Sequence, residues 1–255
     1  MKTQILFFIA FVFTAANSFA QNIDQQFFDK ANAFFQKNVE NGLVPYADLK
    51  NDGQLASLID QVENAQLTNA SDATKKAFFI NAYNLQVIKA ASDLYPINSV
   101  QTGGGFFDRM KVKVAGINLT LNKLEKQFLL APYKDARLHF VLVCGALGCP
   151  PITNFAYRPE LLDQQLDQQT RLAINDPNFI KVNGQEAALS QIFQWYASDF
   201  GGNKKAVLSF INKYRSTPIT PSAKITYYDY DWSLNNASAT SSDAFEDTPS
   251  SANNA

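Results

Sequence analysis

The sequence predicts an α+β fold: a single helix-rich domain packed on a small, mostly antiparallel sheet. Three observations lead there. Long segments carry apolar residues at helical spacing, two short alternating runs are interrupted by glycines at Gly116 and Gly184, and polar sequence bounds this unit at both ends.

The elements follow in chain order. Residues 23–39 place Phe27, Phe28, Ala31, Phe34 and Phe35 on one stripe, and residues 55–62 repeat the pattern with Leu55, Leu58, Ile59 and Val62. Both read as amphipathic helices. A third helix, over 73–94, is apolar nearly all round from Ala77 to Ala91, the pattern of a helix buried among other elements. Val112, Val114, Ile117 and Leu119 alternate about Gly116 as a hairpin, which runs into a helix from Thr120 or Leu121 to Leu130. The apolar run 138–143 reads as a strand, and 159–174 as a helix with Pro159 in its first turn. Residues 179–189 hold Asn183 and Gly184 between two short strands, a hairpin signal. Ser190 is placed to cap a helix through Trp195 and Tyr196. A helix over 204–214 and a strand over 225–230 close the domain, which spans 24–236.

The two ends read differently. Lys2, the apolar run 5–15 and the small-residue ending Ser18, Phe19, Ala20 have the pattern of a cleavable signal peptide over residues 1–20. That run is shorter than the roughly 18–20 apolar residues a membrane span needs. The expectation is therefore an exported protein, periplasmic or extracellular, with no transmembrane segment in the mature chain. Residues 237–255 are mostly Ser, Ala, Asn and Asp, too poor in apolar surface to offset the entropy of ordering, and read as a disordered tail.

Composition removes several function classes. The formal charge is −1 with 22 Lys and Arg against 23 Asp and Glu, and no basic run occurs, so nucleic acid is not an expected partner. One histidine and two cysteines cannot supply a usual zinc set, and neither a Walker loop nor G-x-G-x-x-G is present; no metal or cofactor is expected. Gly103, Gly104 and Gly105 form either an anion nest or a plain loop. No serine sits in G-x-S-x-G.

The segment Arg137 to Pro151, RLHFVLVCGALGCPP, combines the single histidine with both cysteines at the end of the expected strand. Catalytic and ligand groups gather at such ends, where a rigid scaffold meets an exposed loop. This segment resembles the family called domain of unknown function 547, as do Ile80, Asn81, Ala82, Tyr83 and Asn84, the stretch Leu121 to Glu125, the stretch Leu189 to Tyr196, and the closing Tyr230, Asp231, Trp232, Ser233, Leu234, Asn235. The resemblance implies a largely exported or envelope protein in bacteria, of unsettled activity. It also implies a pattern with Glu at Glu125, His at His139 and cysteines at Cys144 and Cys149. In plant relatives the second cysteine position is often another residue, which favours Cys144. Where the family commonly has Ser before the second cysteine, this chain has Gly148.

These residues suggest a cysteine-dependent hydrolase or transferase acting on an amide, peptide or ester. Cys144 or Cys149 would be the nucleophile, His139 the base, and Glu125 or Asn81 the group orienting the imidazole. If 139 and 144 share one extended strand, five steps at about 3.3 Å separate them by roughly 16 Å on opposite faces. The competing expectation is a non-catalytic envelope module that binds a peptide, glycan, small molecule or partner protein, with a Cys144–Cys149 disulfide stapling the loop. Asn81 and Asn84 share a face of the buried helix and would either contact a ligand or bond the backbone of a neighbouring loop. Asp231 would cap locally or pair with Arg137 or Arg158.

Overall fold

The computed structural model describes residues 21–23 and 25–237. The expected leader over 1–20 and the expected tail from 238 onward lie outside the described residues. Ala237 itself is tied down, its N–H donating to Val44 O at 2.9 Å.

In order, the elements are β1 (Gln21–Asn22), α1 (Gln25–Asn38), α2 (Tyr46–Leu49), α3 (Gly53–Asn64), β2 (Ala65–Gln66), α4 (Asp72–Leu94), β3 (Val112–Val114), β4 (Ile117–Leu119) and α5 (Leu121–Lys123). The helix of α5 continues through a π-helical stretch, Leu124–Leu130, into α6 (Ala131–Tyr133), and a 3-10 helix, Ala136–Phe140, follows. Then come α7 (Leu162–Asn175), β5 (Ile180–Asn183), β6 (Glu186–Ser190), α8 (Ile192–Trp195), α9 (Lys204–Tyr214) and β7 (Lys224–Tyr228). The fold is α+β, as the periodicities predict. β6 pairs antiparallel with β5 and parallel with β7, β3 with β4 antiparallel, and β1 with β2 parallel.

The helix starts follow local side-chain chemistry. Asp52 caps α3 by accepting from Leu55 N at 2.7 Å, Ser71 caps α4 from Thr74 N at 3.1 Å, and Asn203 caps α9 from Ala206 N at 3.0 Å. The apolar stripe of α1 and that of α3 close on α4, whose residues from Ala77 to Ile88 are all buried. A second buried cluster joins α7, α9 and the sheet β5–β6–β7 through Ile174, Leu189, Phe193 and Ile211. Cys149 and Trp232 pack against both clusters, so they lie on the seam between them.

Four expectations are corrected. The run 138–143 is not a strand: Asp135 accepts from Arg137 N at 3.1 Å and starts the 3-10 helix. The backbone that would have joined a ladder is taken by Asn84, which donates to Val141 O at 2.9 Å and accepts from Val143 N at 3.0 Å. Pro159 precedes its helix, which begins at Leu162. In the hairpin, Asn183 ends β5 and the turn is Gly184–Gln185, with Gly184 taking the positive φ of 58°. Finally Ser190 ends β6 rather than starting a helix, and α8 is one short turn.

The closing segment folds back over the middle of the chain. Leu147 N–H donates to Ser233 O at 2.8 Å, Gly148 N–H to Asp231 O at 2.8 Å, and Asn235 N–H to Gly145 O at 3.0 Å. Tyr46 Oη donates to Asn235 Oδ1 at 2.6 Å, and Asn235 Nδ2 to Gly42 O at 3.1 Å. These bonds clamp residues 231–235 onto the loop between the two cysteines.

Candidate functional site

The loop from Cys144 to Cys149 doubles back on itself, with Cys149 N–H bonded to Ala146 O at 3.1 Å. Gly145 supplies a φ of 79°. At Gly148, a Cβ would sit 2.9 Å from both Asp231 N and Asp231 O, so glycine there lets the closing segment approach. The return brings the sulfurs to 2.7 Å, yet both cysteines are free thiols. The expected Cys144–Cys149 disulfide is thus corrected: the loop is held by hydrogen bonds.

Those bonds distinguish the two thiols. Cys149 Sγ accepts from the Cys144 N–H at 3.1 Å and from Tyr230 Oη at 2.9 Å, and it meets the Cys144 thiol as well. Burial raises the Cys149 thiol, but the Cys144 thiol, the Tyr230 hydroxyl and the backbone donors outweigh it and lower the pKa. For Cys144 the balance is opposite: the bond to Cys149 and burial push it well above its ordinary value. Burial and the neighbouring cysteines also raise Tyr230, which therefore stays a protonated donor. Of the two sulfurs, Cys149 Sγ is the one that accepts both the Tyr230 hydroxyl and the Cys144 N–H.

His139 is buried on the 3-10 helix, its ring 4.1 Å from that of Tyr196. Its Nε2 lies 2.8 Å from Asp199 Oδ2. Burial lowers its pKa and Asp199 opposes this, leaving a neutral ring whose Nε2–H is assigned as donor to the carboxylate. Neither Glu125 nor Asn81 orients the imidazole; Asp199 does. Glu125 stands on the π-helical stretch, a distortion frequent at functional sites. Tyr196 Oη donates to its Oε1 at 2.7 Å and Tyr83 Oη to its Oε2 at 3.3 Å. Burial raises its pKa against those two bonds.

Glu125, His139, Cys144 and Cys149 line one cavity of about 500 Å³, together with Tyr83, Asn122, Lys126, Tyr196 and the aromatic group Trp195, Tyr230 and Trp232. The structure therefore brings together the expected catalytic residues, although they lie on a 3-10 helix, a π-helix and a loop. Asn81 and Asn84 do not line it. Asn81 donates to Ala77 O and to Tyr157 O at 2.8 Å and accepts from Tyr157 N at 3.0 Å, while Asn84 bonds Val141 and Val143. Of the two roles open to these amides, the one present is bonding the backbone of neighbouring segments. Asp231 pairs with neither arginine: it accepts from Ser233 N, while Arg137 meets Asp135 and Asp167, and Arg158 meets Asp29. Among the described residues, no group of three or more His, Cys, Asp or Glu side chains converges as a metal site requires. No described helix is long and apolar enough to cross a membrane.

Sequence reasoning missed Asp199 and the Tyr230 hydroxyl. The accumulation of Trp195, Tyr196, Ser198 and Asp199 ahead of Gly201 and Gly202 was the available signal.

Residues 67–174 match the model of the family described as protein of unknown function, DUF547. The resemblance to DUF547 holds over that segment. It contains Glu125, His139, Cys144 and Cys149 and stops before Tyr196, Asp199 and Tyr230. No curated protein and no solved structure matches the chain.

Proposed function

We propose that this DUF547-like chain is an exported, cysteine-dependent acyl hydrolase or transferase acting on an amide, peptide or ester, with Cys149 as nucleophile. The observation that carries this reading is the convergence of the Tyr230 hydroxyl, the Cys144 thiol and the Cys144 N–H on Cys149 Sγ inside a cavity. Such donors favour the thiolate without an adjacent imidazole.

The remaining groups divide the proton work. The Cys149 thiolate attacks the acyl carbon, forming a thioester and breaking the bond to the leaving group. Glu125, whose pKa burial raises, gives the leaving group its proton. The neutral His139, held by Asp199, then takes a proton from water, or from an acceptor amine or alcohol, as that nucleophile attacks the thioester. Cys149 leaves as thiolate, and the proton on His139 returns to Glu125 through water.

The experiment is intact-mass analysis of the purified protein after brief exposure to activated acyl esters, with peptide mapping of the adduct. An acyl group on Cys149, absent in Cys149→Ser, supports the reading; an adduct on Cys144, or none, sinks it. A second reading, the non-catalytic binding module, is favoured by one observation. His139 Nε2 is committed to Asp199, and no imidazole–thiol hydrogen bond occurs among the described residues. Under that reading a cavity ligand shields Cys149 from alkylation and is recovered unchanged.

Export rests on the pattern of Lys2, residues 5–15 and Ser18 to Ala20. A mature protein beginning near Gln21 supports it, and retention of Met1 in the cell-purified protein refutes it.

A further inference from the structure

One wall of the cavity takes no part in the proton chemistry, and it is aromatic. Trp195 and Tyr230 have ring centroids 5.0 Å apart, Tyr230 and Trp232 4.7 Å, and Trp195 and Trp232 5.8 Å with planes 25° from parallel. Trp195 nevertheless remains 46% exposed, and Leu147, on the loop carrying Cys149, is 49% exposed. The backbone bonds from Leu147 to Ser233 and from Gly148 to Asp231 set that loop against the segment of Trp232. Large apolar surface is thus left open to water beside the thiolate, where a packed core would have covered it.

The polar lining lies on another element. Asn122, Glu125 and Lys126 come from α5 and its π-helical continuation. The thiols lie beside the aromatic wall, with Tyr230 belonging to both: its ring completes the stack and its hydroxyl holds Cys149. An acyl carbon seated on Cys149 therefore shares one cavity with both aromatic rings and hydrogen-bonding groups.

Resting on the acyl-transfer reading above, we infer that the acyl group this site takes is apolar and carries a flat ring, seated against Trp195 and Trp232, while the leaving group points toward Asn122 and Lys126. Ring pairs gain from offset or edge-on contact at centroid separations of about 4.5–7 Å, beyond the burial of their area. A small acyl group leaves the wall wet, and an anionic one loses hydration against the rings without a partner. The two tryptophans lie outside residues 67–174, so nucleophile and acyl selectivity come from different parts of the chain.

The test uses the full purified protein and three 4-nitrophenyl esters, of phenylacetate, acetate and monosuccinate. For each, the rate of Cys149 acylation is followed by mass spectrometry and divided by the ester's spontaneous hydrolysis rate. Phenylacetyl transfer is expected to exceed acetyl transfer by about tenfold, the preference a single buried ring supports. Trp195→Ala should bring the ratio near one, and Trp195→Phe, which keeps a ring, should retain most of it. Acetyl or succinyl transfer as fast as phenylacetyl transfer overturns the inference, as does an unchanged ratio in Trp195→Ala. If none of the esters acylates Cys149, the acyl-transfer reading itself fails and takes this inference with it.

Discussion

Replacing Tyr230 with Phe removes one oxygen atom from the site and keeps the ring against Trp195 and Trp232. The lost hydroxyl donates to Cys149 Sγ at 2.9 Å and lies 3.3 Å from Cys144 Sγ. A hydrogen bond to an ionised acceptor is worth about 1.5–3 kcal/mol. At roughly 1.4 kcal/mol per factor of ten, its loss reduces the thiolate population of Cys149 by about 10- to 100-fold at a pH below the titration of either form. The thiolate that remains is more nucleophilic, and a Brønsted coefficient of about 0.4–0.5 recovers nearly half of that loss on a logarithmic scale. The net expectation is alkylation slower by about 3- to 13-fold, with the rate profile displaced to higher pH. Iodoacetamide labelling under pseudo-first-order conditions between pH 5 and 9, with the adduct located by peptide mapping, measures this. A superimposable rate profile, or labelling that begins on Cys144, refutes the assignment of Cys149 as the activated thiol.

Two further outcomes test the frame around the thiols. Asn84→Ala leaves Val141 O and Val143 N buried without partners and should lower the unfolding free energy by about 2–4 kcal/mol, read from urea denaturation; a loss within error would show that this loop is not pinned by the amide. Burial raises Glu125 above its ordinary 4.5, so the folded state keeps a proton that the unfolded chain releases. Its contribution is full below that value and declines as pH rises through the folded titration. Glu125→Gln keeps an acceptor for Tyr196 and cannot ionise, so its stability relative to wild type should increase as pH rises above 4.5; parallel urea curves from pH 4 to 8 for the two proteins would contradict the raised pKa.

The sequence located the long helices α1, α3, α4 and α9 and both hairpins, because these depend on near neighbours. The stripe Phe27, Phe28, Ala31, Phe34, Phe35 defines α1, and Asp52, Ser71 and Asn203 cap their helices within three residues of chain. It also singled out Glu125, His139, Cys144 and Cys149, since an uncommon residue type in a family-like block stands out without coordinates.

What it could not supply was the backbone that joins them. The apolar run 138–143 fits a buried strand as well as any other buried segment, and the choice fell to a side chain 57 positions away, Asn84, whose amide takes the carbonyl of Val141. Tertiary structure also placed different donors around the two thiols. Tyr230 is 81 residues from Cys149, and the His139 partner, Asp199, is 60 residues from it. Periodicity records which face of an element is apolar, whereas the pKa of a thiol depends on donors within about 3 Å in space, and these come from whichever segments the two buried clusters press together.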